Sequence, residues 1–450
     1  MISVIIRTKN EERWIKSCLE GILSQKVNHS VEIVLVDNES TDKTVQRAKA
    51  ICPDLILVSI EHFLPGFALN EGIRVSNGEH IVCLSAHCPP VDNQWLAALL
   101  QNFDDPAVAG VYGRQVPTRF TNSVDKRDLM LTFGLERRVQ ERETFFHNAN
   151  SMLRRDIWDR FPFDEKISNI EDRIWGQEVV RAGYKLVYEP TAAVFHHHGI
   201  HQDNRSDRAR NVVQILESNI PDFNPEHLCS PFDPVNQEIV AIIPLRGNKN
   251  SIDLDQKLIK RTIQSAKESK LISRLVVATD SETISKMVSP MGAEVPFLRP
   301  NELSGNMIRS DEVLSQFLVM LEDNGYYPDV VVPLEITYPF RPEGLIDGVV
   351  SQLIQDGYDT VISAMPEYRA CWQEKGGDMV QIALTDQPRQ ERKPLYVGLP
   401  SLACATYPYV LREGTRYGQN IGIFEVDDPV AGVEVRDIKE LQRINQLFTL

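Results

Sequence analysis

The chain has 450 residues, 42% of them hydrophobic and 25% charged, which is typical of a globular protein with two or three domains. Its formal net charge of −15 argues against a general nucleic-acid-binding protein, because phosphate backbones are bound by clustered Lys and Arg. The sequence contains no apolar run of about 18 residues, so no transmembrane segment is predicted. Its seven cysteines form no Cys-x-x-Cys pair, and this favours the reducing cytoplasm.

Strand and helix patterns alternate along the first half of the chain. Short apolar runs predict strands, and apolar residues at helical spacing predict helices between them. The predicted strands are Ile2–Arg7, Val31–Val36, Leu55–Ile60, Ile81–Leu84 and Lys185–Val194, and the predicted helices are Glu11–Leu23 and one that starts at Ser40. This alternation predicts an α/β fold with a mainly parallel, doubly wound sheet flanked by helices.

A proline-rich stretch from Ile220 to Pro234 interrupts this alternation. Proline continues neither a helix nor a central strand, so the stretch is typical of a linker. The alternation then restarts with strands at Ile239–Pro244, Leu275–Ala278, Val330–Leu334 and Thr360–Ser363, and helices at Asp255–Ser269, Asp311–Leu321 and Gly344–Ile354. We therefore predict two α/β domains, residues 1–220 and 238–450, joined by a linker at 221–237.

Polar side chains follow two strands of the first half. Asp37 ends the second strand, while Ser85 and His87 follow Ile81–Leu84. Ligands of open α/β sheets lie beyond the carboxyl ends of the strands. A carboxylate there can accept hydrogen bonds from a nucleotide base or a ribose hydroxyl. The sequence therefore predicts one polar cleft that binds a nucleotide.

Three segments resemble the family 2 glycosyltransferases: Ser3-Val-Ile-Ile-Arg-Thr-Lys-Asn-Glu, Val36-Asp-Asn-Glu-Ser-Thr-Asp and Asn70-Glu-Gly-Ile-Arg-Val-Ser-Asn-Gly-Glu-His-Ile. The resemblance covers about residues 1–205, and Gly113-Arg-Gln-Val-Pro points to the rhamnosyltransferase-like branch. It implies a GT-A fold and inverting transfer of a sugar from a nucleotide-sugar donor to a glycan or lipid-linked acceptor. A lipid-linked acceptor would bring the protein into peripheral contact with a membrane.

An inverting transfer needs a base that takes a proton from the acceptor hydroxyl. Asp172, preceded by Glu171, resembles the family's acidic motif at the start of a helix, and the resemblance implies that it is this base. A purely structural alternative exists, because Asn169 can cap the helix and acidic residues in a first turn favour its dipole.

Contacts with the donor and the acceptor are also predicted: Asp37 resembles the family's carboxylate that contacts the base, and the segment that starts at His147 is polar and compact. The residues predicted to contact the nucleotide are Thr8, Asn10, Asp37 and Ser85, and those predicted for the sugar or acceptor pocket are Arg114, His147 and Asn148. Helix capping is an alternative for Thr8 and Asn10, and a buried turn is an alternative for the segment that starts at His147.

The sequence departs from the family where an Asp-x-Asp motif usually holds Mn²⁺ or Mg²⁺ on the diphosphate. Here the segment is Leu84-Ser-Ala-His-Cys-Pro, and a second histidine group, His196 to His198, follows the strand at Lys185–Val194. Imidazole suits softer metals than Mg²⁺. Either His87 and His198 bind a divalent metal, Mn²⁺ or Mg²⁺, with diphosphate oxygens completing its shell, or the site works without metal through imidazolium, Arg114 and backbone N–H groups. At least one histidine of the group is expected only to pack or to face water.

The second half resembles the cytidylyltransferases that make CMP-activated acidic sugars, the CMP-N-acylneuraminate and CMP-Kdo synthetases. Its matching segments include Ile239-Val-Ala-Ile-Ile-Pro-Leu-Arg-Gly-Asn-Lys, Leu334-Glu-Ile-Thr-Tyr-Pro-Phe-Arg and Gln387-Pro-Arg-Gln, within about residues 238–446. The resemblance implies that CTP or a sugar is contacted by Arg246, Lys249, Arg299, Glu335 and Arg389.

This half also departs from its family. Glu335 replaces a Gln, and Glu434 and Arg436 replace the metal-binding Asp pair; a guanidinium repels Mg²⁺. Three functions stay open: a glycosyltransferase of surface-polysaccharide synthesis with a degenerate second domain, a bifunctional enzyme that also makes a CMP-acidic sugar from CTP, and a non-catalytic nucleotide-binding scaffold.

Overall fold

The computed structural model describes residues 1–167, 170–198, 213, 233–247, 252–303, 308–382, 388, 391–436 and 440. The chain divides into two compact units, Met1–Pro231 and Phe232–Leu450. Most of the linker predicted at 221–237 lies outside the described residues. Among the described residues, none of the helices combines the length and apolarity that a bilayer crossing requires.

The first unit contains an eight-stranded sheet with helices along the chain between its strands. Its elements are β1 Ile2–Thr8, α1 Ile15–Leu23, β2 Val31–Asp37, α2 Thr44–Ile51, β3 Ile56–Ser59, α3 Pro65–Val75, β4 His80–Ser85, α4 Trp95–Leu100, β5 Val108–Pro117, α5 Ser123–Thr132, β6 Arg138–Gln140, β7 Asn150–Arg154, α6 Arg155–Trp158, α7 Glu171–Arg181 and β8 Lys185–His196. The strand order is β3-β2-β1-β4-β7-β5-β8-β6. Strands β3, β2, β1 and β4 run parallel to one another, and β7 is inserted antiparallel between β4 and β5.

Both faces of this sheet are buried. Along β1, Ile2, Val4 and Ile6 belong to one hydrophobic cluster, whereas Ile5 belongs to the cluster on the opposite face. Side chains alternate between the faces of a strand, so a nearly continuous apolar run is what a strand covered on both sides requires. The predicted α/β fold is confirmed, and β7 adds an antiparallel strand that was not predicted.

The strand register brings several loops to one edge of the sheet. Arg7 lies beside Ser85, and Thr8 lies beside Asp37, so β1, β2 and β4 end at the same level. Because β7 runs in the opposite direction, it begins at this edge, where Asn150 pairs with the end of β4.

Two helices begin later than predicted. Helix α1 begins at Ile15 instead of Glu11, and α2 begins at Thr44 instead of Ser40. The backbone N–H of Glu11 donates to Thr44 Oγ1 (2.7 Å), and that of Ser40 donates to an Asp37 carboxylate oxygen (3.0 Å). These side-chain bonds compete with helical ones, as short polar residues commonly do at helix starts.

The second unit is also α/β. Its elements are β9 Ile239–Leu245, α8 Ile252–Glu268, β10 Arg274–Thr279, α9 Glu282–Val288, α10 Ser310–Asp323, β11 Val330–Pro333, α11 Leu345–Gln355, β12 Thr360–Glu367, β13 Trp372–Lys375, β14 Asp378–Gln381, β15 Leu395–Gly398, β16 Cys404–Thr406, α12 Pro408–Arg412 and β17 Ile421–Glu425. The main sheet has the order β10-β9-β11-β16-β12-β15, β17 pairs with β12, and β13 and β14 form a separate hairpin. Along β9, Ile239 and Ile243 belong to one hydrophobic cluster, whereas Val240 belongs to another.

Candidate active site

A cavity of about 440 Å³ lies at the carboxyl ends of β1 and β4. Its lining residues come from six regions of the first unit: Arg7, Thr8, Lys9 and Glu11; Asn38; Phe63 and Pro65; Ser85 and His87; His147 and Ala149; and Glu171 and Asp172. The cavity thus combines cations, carboxylates and imidazoles, with apolar side chains on one part of the wall. This is the place where α/β sheets bind ligands.

Two buried acids form one wall. Glu171 is 4% exposed and Asp172 9%, and both lie in the first turn of α7. Asp172 accepts hydrogen bonds from the backbone N–H groups of Asn148 (3.1 Å) and Arg173 (2.7 Å). Glu171 accepts from Asn148 Nδ2 and from Arg7 Nη1, each at 3.4 Å. Asn148, predicted to line the sugar pocket, therefore holds the acidic pair in place.

Burial raises the pKa of Asp172 above its ordinary value of 3.8, although the two backbone hydrogen bonds and the charges of Arg7 and Arg173 oppose this shift. A carboxylate with a raised pKa is a stronger proton acceptor, which suits a general base. The residue before the helix, Ile170, has φ 63°, a left-handed conformation that is unusual for a β-branched residue. The predicted cap Asn169 lies outside the described residues.

Three histidines meet beside this cavity. The ligating nitrogens of His87, His196 and His198 lie within 4.8 Å of one another, and we call these residues the histidine cluster. His87 Nδ1 is 2.7 Å from Glu11 Oε1, so its Nε2 is left for another partner. His196 Nε2 is 3.2 Å from His198 Nε2. The structure therefore brings together the two predicted ligands, His87 and His198, and adds His196.

One pair of the histidine cluster has the spacing that a shared metal ion requires. Two nitrogens that bind one ion at about 2.0–2.1 Å are themselves roughly 3 Å apart, as the Nε2 atoms of His196 and His198 are. Burial and the neighbouring imidazoles lower the pKa of His196 well below its usual range, so its ring is neutral and offers a lone pair. The His87–Glu11 pair is the carboxylate–histidine arrangement that supports metal ligands.

His197 plays a different part from its neighbours. Its ring stacks on Trp14 with centroids 4.9 Å apart, and burial lowers its pKa to about 3. In an extended chain, alternate residues share a face, so His196 and His198 can point to one side while His197 points to the other. This spacing could have identified His196 from the sequence.

The residues predicted to bind the nucleotide divide into two groups. Thr8 and Ser85 line the cavity, as does Asn38, which was not predicted. Asp37 instead accepts hydrogen bonds from the backbone N–H (3.0 Å) and the hydroxyl (2.5 Å) of Ser40. Asn10 Oδ1 accepts from the backbone N–H of residue 41 (2.8 Å). Asp37 and Asn10 thus brace the loop at the cavity edge and are not among the lining residues.

The remaining predicted residues of this unit also differ in position. His147 lines the cavity, and burial lowers its pKa to about 4, so its ring is neutral at pH 7. Arg114 is buried, is not a lining residue, and its carbonyl oxygen accepts from Asn150 Nδ2 (3.0 Å). The cations of the cavity wall are Arg7 and Lys9, neither of which was predicted as a site residue.

In the second unit, polar groups gather after β9 and β10. Arg299 is buried and lies 3.8 Å from Asp280, whose other carboxylate oxygen accepts from the backbone N–H of Gly247 (2.7 Å). Arg246, which immediately precedes Gly247, is exposed. The predicted Lys249 and Arg389 lie outside the described residues.

The residues at two positions that depart from the cytidylyltransferase pattern form ion pairs. Glu335 lies 3.4 Å from the guanidinium of Arg416, which is 4% exposed. Arg436 Nε lies 2.9 Å from Glu434 Oε1. At both positions, a carboxylate that could attract a metal ion already has a cation beside it.

A family model matches part of each unit. The family model "Glycosyl transferase family 2" matches residues 3–161, and the model "Cytidylyltransferase" matches residues 242–391. The chain is 24% identical over 185 residues to an O-antigen chain rhamnosyltransferase of Salmonella anatum, covering 39% of this chain and 59% of that protein. It is 29% identical over 124 residues to a pseudaminic acid cytidylyltransferase of Campylobacter jejuni, covering 26% of this chain and 53% of that protein.

A solved structure also resembles the chain. A mannosyltransferase of Pyrobaculum calidifontis, in complex with GDP-Man and Mn²⁺, aligns with a TM-score of 0.36 at 24% identity over 52% of this chain and 67% of that one. The chain spans little more than half the length of the two curated relatives described above.

Proposed function

Because the chain joins a family 2 glycosyltransferase domain to a cytidylyltransferase domain, we propose that its first unit is an inverting glycosyltransferase. It transfers a sugar from a nucleotide-sugar donor to a hydroxyl of a glycan or lipid-linked acceptor in cytoplasmic steps of surface-polysaccharide synthesis. The observation that carries this proposal is that a buried carboxylate pair, two cations and His87 of the histidine cluster line one cavity.

The cavity residues supply what an in-line displacement requires. The Asp172 carboxylate accepts the proton of the acceptor hydroxyl as that oxygen forms a bond to the anomeric carbon. The bond between that carbon and the donor phosphate breaks, and the leaving nucleoside diphosphate keeps the electron pair. Arg7 and Lys9 stabilise the charge that develops on it. Attack opposite the leaving group inverts the anomeric centre.

The other lining residues recognise the donor. Thr8, Asn38 and Ser85 offer hydroxyl and amide groups to the nucleotide, and the side chains of Phe63 and Pro65 offer apolar contact. Convergent polar groups beside an apolar part of the wall are typical of small-ligand sites. Asp37 and Asn10 keep the shape of the bordering loop and stay candidates for direct nucleotide contact, while Arg114 stays a candidate for the sugar pocket.

We further propose that His87, His196 and His198 hold a divalent metal ion. Three imidazole ligands with an open position suit Zn²⁺, Co²⁺ or similar ions better than Mg²⁺ or Mn²⁺, which favour oxygen ligands. When bound, such an ion neutralises negative charge on the diphosphate. This proposal rests on the 3.2 Å separation of the His196 and His198 nitrogens and on the Glu11 partner of His87.

A donor screen tests the proposed transfer. The intact protein is incubated with UDP-, GDP-, dTDP- and CMP-linked sugars, and the released nucleotide is measured by mass spectrometry. We expect one donor class to release a nucleoside diphosphate, and we expect this release to disappear in Asp172→Asn. If no donor binds or reacts, the transferase proposal fails.

The pH dependence of transfer should report the ionisation of Asp172. Protonated Asp172 cannot accept a proton, so kcat/KM should rise as pH rises through its pKa, with a midpoint above the ordinary Asp value of 3.8. Since the Arg7 charge lowers this pKa, Arg7→Gln should move the acid limb to higher pH. A pH–rate profile of both proteins measures the shift, and an acid limb at the ordinary value, or a movement to lower pH, would contradict the assignment.

For the second unit, we propose nucleotide binding with little cytidylyl transfer. The Arg436–Glu434 pair supports this, because a guanidinium at that position opposes Mg²⁺. Pyrophosphate release from CTP and N-acylneuraminate should therefore be weak or absent in a coupled assay with Mg²⁺, although CTP should raise the melting temperature of the intact protein. Strong Mg²⁺-dependent release would favour the bifunctional alternative; nucleotide binding without turnover in either unit would favour the nucleotide-binding scaffold, and no response to any nucleotide would leave a purely structural role.

A further inference from the structure

Gln115 connects the acidic cavity to the histidine cluster. Its side chain is 1% exposed; its Nε2 lies 2.9 Å from Nδ1 of His147, and its Oε1 lies 2.6 Å from Nδ1 of His196. We propose that Gln115 is a positioning residue that fixes the tautomers of these two histidines. Its meaning for catalysis rests on the proposed transferase function.

The two ends of the amide dictate opposite tautomers. The NH₂ group of Gln115 can only donate, so His147 Nδ1 must be an acceptor without a proton. The carbonyl oxygen can only accept, so His196 must carry a proton on Nδ1. In a neutral ring the second nitrogen then has the complementary state. His147 carries its proton on Nε2, and His196 is unprotonated on Nε2.

A backbone group selects this orientation of the amide. The N–H of Ala149 also points at His147 Nδ1, at 3.3 Å. If the Gln115 amide were reversed, His147 Nδ1 would have to donate to the amide oxygen while facing the Ala149 N–H. Two donors would then oppose each other in a buried site, which costs free energy. The neutral state of His147, kept by burial, is compatible with the double acceptor role.

The strand geometry explains how one side chain reaches both rings. Gln115 pairs with Val194 on β8, two residues before His196, and the register of β5 and β8 shifts between Gly113 and Gln115. Such irregularities redirect side chains. Gly113 is needed for the close approach, since a Cβ there would lie 2.0 Å from the Ala192 carbonyl oxygen. The Gly113-Arg-Gln segment thus has a local structural purpose.

The linked tautomers prepare both histidines for the proposed reaction. The unprotonated Nε2 of His196 lies 3.2 Å from His198 Nε2, from which it can accept a hydrogen bond; when His198 Nε2 carries no proton, both nitrogens can bind one metal ion. The Nε2–H of His147 is a neutral hydrogen-bond donor on the cavity wall, suited to a sugar hydroxyl or a phosphate oxygen. Partners that fix a ligand's tautomer commonly change metal affinity by about 10–100-fold.

The test uses the full chain, labelled with ¹⁵N-histidine and treated with a chelator. Two-bond ¹H–¹⁵N spectra should show His147 protonated at Nε2 and His196 protonated at Nδ1. Gln115→Leu, similar in size but without polar atoms, should lose both preferences and bind Co²⁺ about 10–100-fold more weakly. Gln115→Glu keeps an oxygen toward His196 but cannot donate to His147. It should hold the His196 tautomer and the Co²⁺ affinity while changing only the His147 signals.

Gln177→Leu is the matched control, because Gln177 is exposed on α7, and it should change neither readout. Circular dichroism confirms that each variant is folded. Protonation of His196 at Nε2 in the unsubstituted protein, or unchanged tautomers in folded Gln115→Leu, would overturn the role of Gln115. A protein that shows the expected tautomers but binds no Co²⁺ would support Gln115 and refute the metal assignment, so the two failures are distinguishable.

Discussion

Replacing Asp172 with Asn should lower the rate of sugar transfer by about 10²- to 10⁴-fold while the donor still binds. The amide has nearly the same shape as the carboxylate, and its oxygen can still accept the 3.1 Å hydrogen bond from the Asn148 backbone. It cannot take a proton from an acceptor hydroxyl. Initial rates by mass spectrometry and donor affinity by calorimetry measure the two effects separately.

Two further variants sharpen this experiment. Glu178→Gln alters an exposed acid on the same helix and should leave the rate unchanged. Glu171→Gln removes the partner of Arg7, which lies 3.4 Å away, and should act mainly on donor binding. If Asp172→Asn turns over normally and Glu171→Gln does not, the base is Glu171; if both retain the full rate, neither acid is the base.

Replacing His196 with Ala should weaken Co²⁺ or Zn²⁺ binding by more than the roughly 100-fold that loss of an outer-shell partner can cause. His196 is the most buried member of the histidine cluster and contributes the Nε2 atom that lies 3.2 Å from His198 Nε2. Removing it leaves two ligands, too few for a closed site. Titration followed by Co²⁺ absorption gives the affinity.

His197→Ala is the control for the metal experiment, since His197 packs on Trp14 and lies outside the histidine cluster. It should retain the metal affinity, although its stability should fall. Equal Co²⁺ binding by His196→Ala and the unsubstituted protein would exclude the three-histidine site. Full transfer activity after chelation would favour the alternative in which imidazolium, arginine and backbone N–H groups neutralise the diphosphate.

Local sequence patterns predicted many of the strands and helices. The apolar run at Ile2–Arg7 predicted β1, because a strand buried on both faces has apolar residues at nearly every position. The polar residues after Ile81–Leu84 predicted a binding edge, because ligands lie beyond the carboxyl ends of parallel strands. The family motifs predicted the domain types that the family models match. Helix starts were less predictable, because side chains such as Thr44 bond to residues about 30 positions away.

The arrangement of the candidate site depended on strand order and register. The antiparallel insertion of β7 carries His147 to the cavity, and the pairing of β5 with β8 places Gln115 between His147 and His196. Asp37, which the sequence pattern placed in the cleft, has its carboxylate bonded to Ser40. The alternation of side chains along a strand shows which of its residues share a face, but it does not show which strand pairs with that strand. Contacts between distant segments, and the shifts in pKa that burial causes there, therefore emerge only when the chain is folded.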